Sequence, residues 1–222
     1  MAFELITFDA YAALVDYRSS LLPVVEAIPG IDKEHAADFL ELWRARQLGA
    51  AAMSNALEQG RISFRDCTAL ALDYALKRHD LSVDSDARDE LIQAWNPLTP
   101  WPEAGRVLTA LKAKGYRLAI LSNGDQDMLE ALAAGFETPF DHILSSEQCG
   151  VYKPHPRVYG LPARELGIED YLHVAGSPND AVGASAAGIS CYWSNRLGDT
   201  VLLPAYPPDY QGPDLSGVLD VV

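Results

Sequence analysis

The chain has 222 residues, 49% hydrophobic and 22% charged, with 17 lysines and arginines against 31 aspartates and glutamates, for a formal net charge of −14. That composition suits a globular fold able to bury a sizeable core, and the acidic balance argues against nucleic acid or an anionic membrane as partner, since both reward basic patches. The three cysteines, Cys67, Cys149 and Cys191, form no CxxC pair and are odd in number, which argues against a disulfide framework or a structural zinc site and for reduced thiols in a cytoplasmic protein.

The N-terminus carries Glu4 and no basic n-region, so no signal peptide is expected. No apolar run approaches the roughly 20 residues a membrane helix needs. Phe3, Leu5, Ile6 and Phe8 read as a short buried strand that stops at a carboxylate, Asp9. In an open parallel α/β sheet, ligands bind at the carboxyl ends of the strands. Asp9 is therefore placed as a nucleophile, a general base, or a strand-capping aspartate with no chemistry.

From Arg18 the texture is helical. Leu21, Leu22, Val25 and Ile28 have helix spacing up to the Pro29–Gly30 break. Asp32 is a plausible N-cap for a helix through Phe39, Leu42 and Trp43 to Leu48. Further helices are read after Arg61 and from about Ser85 to Trp95. Almost nothing between residues 18 and 98 looks like a strand, so this stretch predicts an inserted helical cap domain. Residues 1–17 and 99–222 are expected to form the core.

Prolines at 97, 100 and 102 end the insert. The core then alternates: helix Glu103–Lys114, strand Tyr116–Leu121, helix Gln126–Ala134, strand His142–Leu144, helix Arg157–Leu166 with Pro162 kinking or dividing it, strand Leu172–Ala175, helix Ala181–Ala187 and strand Ile189–Trp193. The proline-rich tail from Leu203 reads as mostly irregular. The pattern predicts a Rossmann-like, doubly wound parallel sheet of about five strands, with right-handed crossovers. The cap would sit over the carboxyl edge, where domain interfaces commonly form clefts.

Four strand ends carry chemistry-bearing residues in chain order: Asp9, then Ser122 and Asn123, then Lys153, then Asp180. Each alone has an ordinary structural explanation as a cap, a turn or a solvated charge. As an acid, hydroxyl–amide, lysine, acid series they are far more specific.

At this point the chain resembles the haloacid dehalogenase superfamily over nearly its whole length, most closely the (S)-2-haloacid dehalogenases. The resembling stretches are FDAYAALVD, LWRARQ, WNPLTPWPEA, LAILSNG, VYKPHPRVYG and the region from GSPNDAVGA to WSNR. Superfamily phosphatases carry a second aspartate two residues after the nucleophile and an acidic pair that holds magnesium; here Tyr11 and Ala175–Gly176–Ser177 stand at those places. The resemblance therefore implies no metal and no cofactor. It implies hydrolytic dehalogenation of short (S)-2-haloalkanoic acids to (R)-2-hydroxyalkanoic acids, with a small carboxylic acid as substrate and halide as product.

The resemblance also implies roles. Asp9 matches the nucleophile that forms an ester, and Arg44 the cap arginine that holds the departing halide. Asn123 matches a second halide or site contact, Ser122 the hydroxyl that receives the substrate carboxylate, and Lys153 the lysine that orients Asp9. Tyr159 matches a tyrosine of the same network, Asp180 the acid that positions water, and Tyr11 part of the apolar wall. Two departures stand out. The family's Gly–Thr is Ala12–Ala13 here, and its two serines before an asparagine are Ala175, Gly176 and Ser177, followed by Pro178 and Asn179. Either Ser177 or Asn179 could take the asparagine's place. These departures keep open a hydrolase of another small acid, as in ring opening of azetidine-2-carboxylate; a magnesium-dependent phosphatase and an inactive binding module are weaker alternatives. Family members are often dimers, which the resemblance carries over as a homodimer.

Overall fold

A computed structural model describes residues 3–222. The chain divides into two compact units, one formed by the chain up to Val15 together with Pro100–Val222, the other by Asp16–Thr99.

The second unit holds α1 (Tyr17–Glu26), α2 (Ala36–Leu57), α3 (Phe64–Arg78) and α4 (Ser85–Gln93). Three of these helices start at a side chain that accepts from an otherwise unpaired backbone N–H: Asp16 from Ser19, Ser63 from Asp66, and Asp84 from Ala87. Phe39, Trp43, Phe64, Leu72 and Trp95 fill the interior. A buried polar seam fixes α2 on α3: the Trp43 indole N–H donates to the Thr68 carbonyl at 2.9 Å, and the Gln47 amide donates to the Thr68 hydroxyl at 2.6 Å. The expected helix from Asp32 to Leu48 needs correction at both ends. Asp32 caps a separate 3-10 turn, Lys33–His35, and α2 continues to Leu57. The continuation opens on Gly49, a weak helix former, but the alanines at 50–52 and the absence of proline carry the helix through it, and it stops where Glu58 turns to a φ of 53°.

The first unit is built on a six-stranded parallel sheet. Its elements are β1 (Leu5–Phe8), α5 (Ala104–Ala113), β2 (Arg117–Ser122), α6 (Gln126–Ala133), β3 (His142–Ser145), α7 (Pro156–Tyr159), β4 (Tyr171–Ala175), α8 (Pro178–Ala186), β5 (Ser190–Ser194), β6 (Tyr210–Gly212) and α9 (Val218–Val221). The strand order is β3-β2-β1-β4-β5-β6. Every residue of β1 and of β4 is buried, which is why these strands read as runs without alternation. The order reverses at β1, so the switch point lies between the carboxyl ends of β1 and β4.

One sequence expectation changes here. The sheet has six strands where about five are expected, because Tyr210–Gly212 from the tail pairs with β5, Tyr192 opposite Tyr210 and Ser194 opposite Gly212. An edge strand needs only one hydrogen-bonded side, so a short segment in a proline-rich tail can serve. The stretch Arg157–Leu166 is divided, one of the two outcomes expected from Pro162: α7 ends at Tyr159, and Pro162–Leu166 forms a separate wide turn closed by Gly167 at a φ of 69°. Proline at 162 has no N–H to continue α7.

Candidate active site

Asp9 directly follows β1, and its backbone N–H donates to the Val174 carbonyl of β4 at 2.9 Å. The chain then makes a wide turn over Ala10–Leu14, closed by the Val15 N–H on the Ala10 carbonyl at 3.2 Å. Asp9 caps that turn: its Oδ2 accepts from the Ala12 N–H at 3.3 Å. Trp101 pins the turn from outside, donating its indole N–H to the Ala12 carbonyl at 3.1 Å and its backbone N–H to Leu14 at 3.0 Å. Tyr11 is buried in the turn.

The ends of β2 and β4 and the loop at Lys153 converge on the Asp9 carboxylate. The Ser122 hydroxyl donates to Asp9 Oδ1 at 3.1 Å, and Lys153 Nζ lies 3.4 Å from the same oxygen. The ammonium also contacts both oxygens of Asp180 at 3.0 Å. The side chains are 13% exposed for Asp9 and 5% for Lys153 and Asp180. One cation thus serves two carboxylates with little water to screen it. Asn123 reaches this network through the backbone: its Oδ1 accepts from the Lys153 N–H at 2.7 Å and ties the Lys153 loop to the end of β2.

Asp180 sits in the first turn of α8. Ser177 caps that helix, its hydroxyl accepting from the Asp180 N–H at 3.3 Å, and Pro178 occupies the first turn. The Tyr159 hydroxyl donates to Asp180 Oδ1 at 2.8 Å. Gly183 makes room for it, since a Cβ there would overlap the Tyr159 hydroxyl. Burial by itself pushes the Asp180 carboxyl up, but Lys153 and then His173 outweigh it and hold the group well below the ordinary carboxylate range. Burial, then the Asp180 charge, pushes the Tyr159 phenol far up, so it stays a donor.

Of the residues singled out from the sequence, the first unit brings Asp9, Ser122, Asn123, Lys153, Tyr159, Ser177 and Asp180 into one hydrogen-bonded cluster. Asn179 does not join it: its side chain is exposed and hydrogen-bonds to no member among the described residues. The reason is helical phase, since Asp180 faces inward from the first turn of α8 and its neighbour faces away. Arg44 belongs to the helical unit, where its guanidinium lies 5.3 Å from the ring centroids of both Tyr17 and Trp95 and donates to Gln47. It is a braced arginine and not a mobile surface one.

Two members of the cluster were missed by sequence reasoning. Thr7 and His173 are both fully buried and stand opposite each other in the pairing of β1 with β4. The Thr7 hydroxyl and His173 Nδ1 are 2.8 Å apart, and His173 Nε2 lies 3.0 Å from Asp180 and 3.2 Å from Lys153. The available signal was a histidine inside the otherwise apolar strand YLHVA.

The departures from the family pattern also have a geometric reading. Gly176 packs directly on the Ala12–Ala13 peptide, and a Cβ at 176 would overlap Ala12 and the Ala13 nitrogen. The nearest atoms are backbone, so it is the missing Cβ at 176 that lets the Ala12–Ala13 peptide pass this close. Among the described residues, no group of three or more His, Cys, Asp or Glu is arranged to hold a metal ion, and no helix is long and apolar enough to cross a membrane.

Comparison with known proteins gives a consistent set of matches. A family model of haloacid dehalogenase-like hydrolases matches residues 3–188. Haloacetate dehalogenase H-2 of Moraxella sp. (strain B) is 34% identical over 223 residues, covering 99% of this chain and 97% of its own. (S)-2-haloacid dehalogenase of Pseudomonas sp. (strain YL) is 34% identical over 220 residues, covering 97% and 93%. The solved structure of L-2-haloacid dehalogenase from Xanthobacter autotrophicus with chloropropionic acid covalently bound has a TM-score of 0.84 at 28% identity, covering 99% of this chain and 98% of that one.

Proposed function

The chain belongs to the haloacid dehalogenase-like hydrolases, and from that premise we propose that it hydrolyses short (S)-2-haloalkanoic acids to (R)-2-hydroxyalkanoic acids through an ester on Asp9. The observation that carries the reading is a single lysine shared by two carboxylates, one buried and one largely buried, at the sheet's switch point. One carboxylate is held for attack, and the other is held apart for the second half-reaction.

Asp9 Oδ1 is engaged by Ser122 and Lys153, whereas Oδ2 accepts a long bond from Ala12. Oδ2 keeps the more available lone pair and is assigned the attack on C2. The new C–O bond forms as the carbon–halogen bond breaks, the halide leaves with the bonding pair, and C2 inverts. Water then adds to the Asp9 carbonyl carbon. One of its protons passes by way of Asp180 to the departing alkoxide as the ester C–O bond breaks and the hydroxy acid leaves, and the other is released to solvent as Asp9 returns to its carboxylate. Arg44 keeps the role of holding the halide, as a planar donor fork suited to an anion. Ser122 and Asn123 shape the site beside Asp9, and Tyr11 contributes its wall. The helical unit acts as the cap. No step needs a metal or cofactor. We read the protein as cytoplasmic, in keeping with three buried cysteines that form no disulfide among the described residues, and as forming a homodimer.

The test is a single turnover of (S)-2-chloropropionate in heavy-oxygen water. The label should enter Asp9 while the product hydroxyl carries an oxygen from the enzyme, with configuration inverted. Asp9→Asn should be inactive, a neutral amide being a far weaker nucleophile. Label appearing directly in the product, with Asp9 clean, would mean that Asp9 is a base for attacking water and would end the covalent reading.

A further inference from the structure

His173 is fully buried and has no part in the roles above. Five groups that titrate or carry charge face it: Asp9 after β1, Lys153 from its loop, Tyr159 from α7, Asp180 from α8 and Cys191 from β5.

One assignment of donors and acceptors around it gives every carboxylate oxygen near Lys153 a hydrogen, leaving the 3.2 Å approach of Lys153 Nζ to His173 Nε2 without one. Lys153 has three N–H groups, and three carboxylate oxygens lie within reach: Asp9 Oδ1 at 3.4 Å, Asp180 Oδ1 at 3.0 Å and Asp180 Oδ2 at 3.0 Å. That leaves no lysine hydrogen for His173. Nε2, 3.0 Å from Asp180 Oδ2, must then carry a hydrogen, because a bare nitrogen would set its lone pair against a carboxylate. Nδ1 is the acceptor, and the Thr7 hydroxyl donates to it at 2.8 Å. Asp180 then accepts from two stiff aromatic donors, one per oxygen, with Tyr159 on Oδ1 and His173 on Oδ2. Lys153, on a flexible stem, is the donor that can move.

We infer that His173, as the neutral Nε2–H tautomer backed by Thr7, is a positioning residue that clamps the Asp180 carboxylate while Lys153 follows the change of charge at Asp9. The inference rests on the haloacid reading and deepens it. When Asp9 becomes a neutral ester, Lys153 loses one of its two anions, and a site on Asp180 opens to water only if that lysine shifts. All four acceptor positions of the carboxylate are otherwise taken. The clamp keeps the Asp180 plane fixed during that exchange. The effect belongs to ester hydrolysis and not to substrate capture.

The experiment compares wild type with His173→Phe, His173→Gln and His173→Asn on (S)-2-chloropropionate, with mass analysis of the Asp9 peptide after quench. It is paired with nitrogen-15 NMR of the imidazole between pH 6 and 9. The spectra should show a neutral Nε2–H tautomer throughout. His173→Phe should keep its fold and KM within about twofold, lose kcat at least about tenfold, and accumulate alkylated Asp9. Glutamine can place an amide N–H where Nε2–H stands and should outperform asparagine, which can reach only the Thr7 side. An Nδ1–H tautomer or an imidazolium at pH 7 would overturn the inference. So would His173→Phe at wild-type kcat, or three variants losing rate equally and in step with thermal stability. Wild-type turnover by itself tests the haloacid reading. Should wild type leave the substrate untouched, that reading fails, and the NMR arm still decides the tautomer.

Discussion

Replacing Lys153 with methionine keeps most of the side-chain volume and removes the charge that Asp9 and Asp180 share. The ammonium is 5% exposed and lies 3.0 Å from both Asp180 oxygens and 3.4 Å from Asp9. At an effective dielectric near 20, each contact is worth on the order of 5 kcal/mol of attraction before desolvation is subtracted. Removing one partner of a buried pair typically costs about 3–5 kcal/mol, because the other charge is stranded. Thermal melts at pH 7 should therefore show Lys153→Met lower by roughly 6–20 °C, taking about 2–4 °C per kcal/mol for a chain of this size. The pH dependence carries the sign. In wild type the Asp180 carboxyl is held low, so its stabilising share is present above the unfolded carboxylate range and is lost only as pH falls through the low folded value. Without the lysine, burial pushes the same carboxyl up, and it takes up a proton as the pH falls. The deficit should be widest near pH 7 and should shrink toward pH 4. A variant within about 1 kcal/mol of wild type, or a deficit constant with pH, would mean that Lys153 does not carry the two buried charges. Either result would refute the reasoning.

Other outcomes follow from the same geometry. Activity should survive exhaustive chelation, checked by a rate assay with and without added magnesium, since Tyr11 and Ala175–Ser177 supply none of the carboxylates that magnesium usually needs; loss with recovery on adding magnesium would instead favour a phosphatase. Arg44→Lys should cut turnover at least about tenfold, or ~1.4 kcal/mol, with an unchanged circular dichroism spectrum, because lysine loses both the planar fork and the stacking on Tyr17 and Trp95. Gly183→Ala should displace the Tyr159 hydroxyl from Asp180, costing about 1–3 kcal/mol from overpacking and slowing hydrolysis of the Asp9 ester more than its formation; chemical denaturation and quench mass analysis would read the two effects.

The sequence alone carried much of what depends on neighbours along the chain, though not the bounds of α2. An apolar run ending in Asp9, the Pro29–Gly30 break, and a strand-free stretch between residues 18 and 98 are local signals. Strand ends in a parallel sheet share one edge, so Asp9, Ser122, Asn123, Lys153 and Asp180 could be placed together before any coordinates. What depends on register or packing could not be read. Thr7 and His173 are 166 residues apart and meet only because β1 pairs with β4 in one register, and a one-residue slip would turn His173 away. Asn179 looked equivalent to Ser177 until the phase of α8 turned it outward. The tail strand Tyr210–Gly212 has no pattern of its own and exists because β5 offers it an edge. Gly176 reads in the sequence as a lost family residue; in the fold it lies against the Ala12–Ala13 backbone, where a Cβ has no room, because close packing couples positions that the chain keeps 164 residues apart.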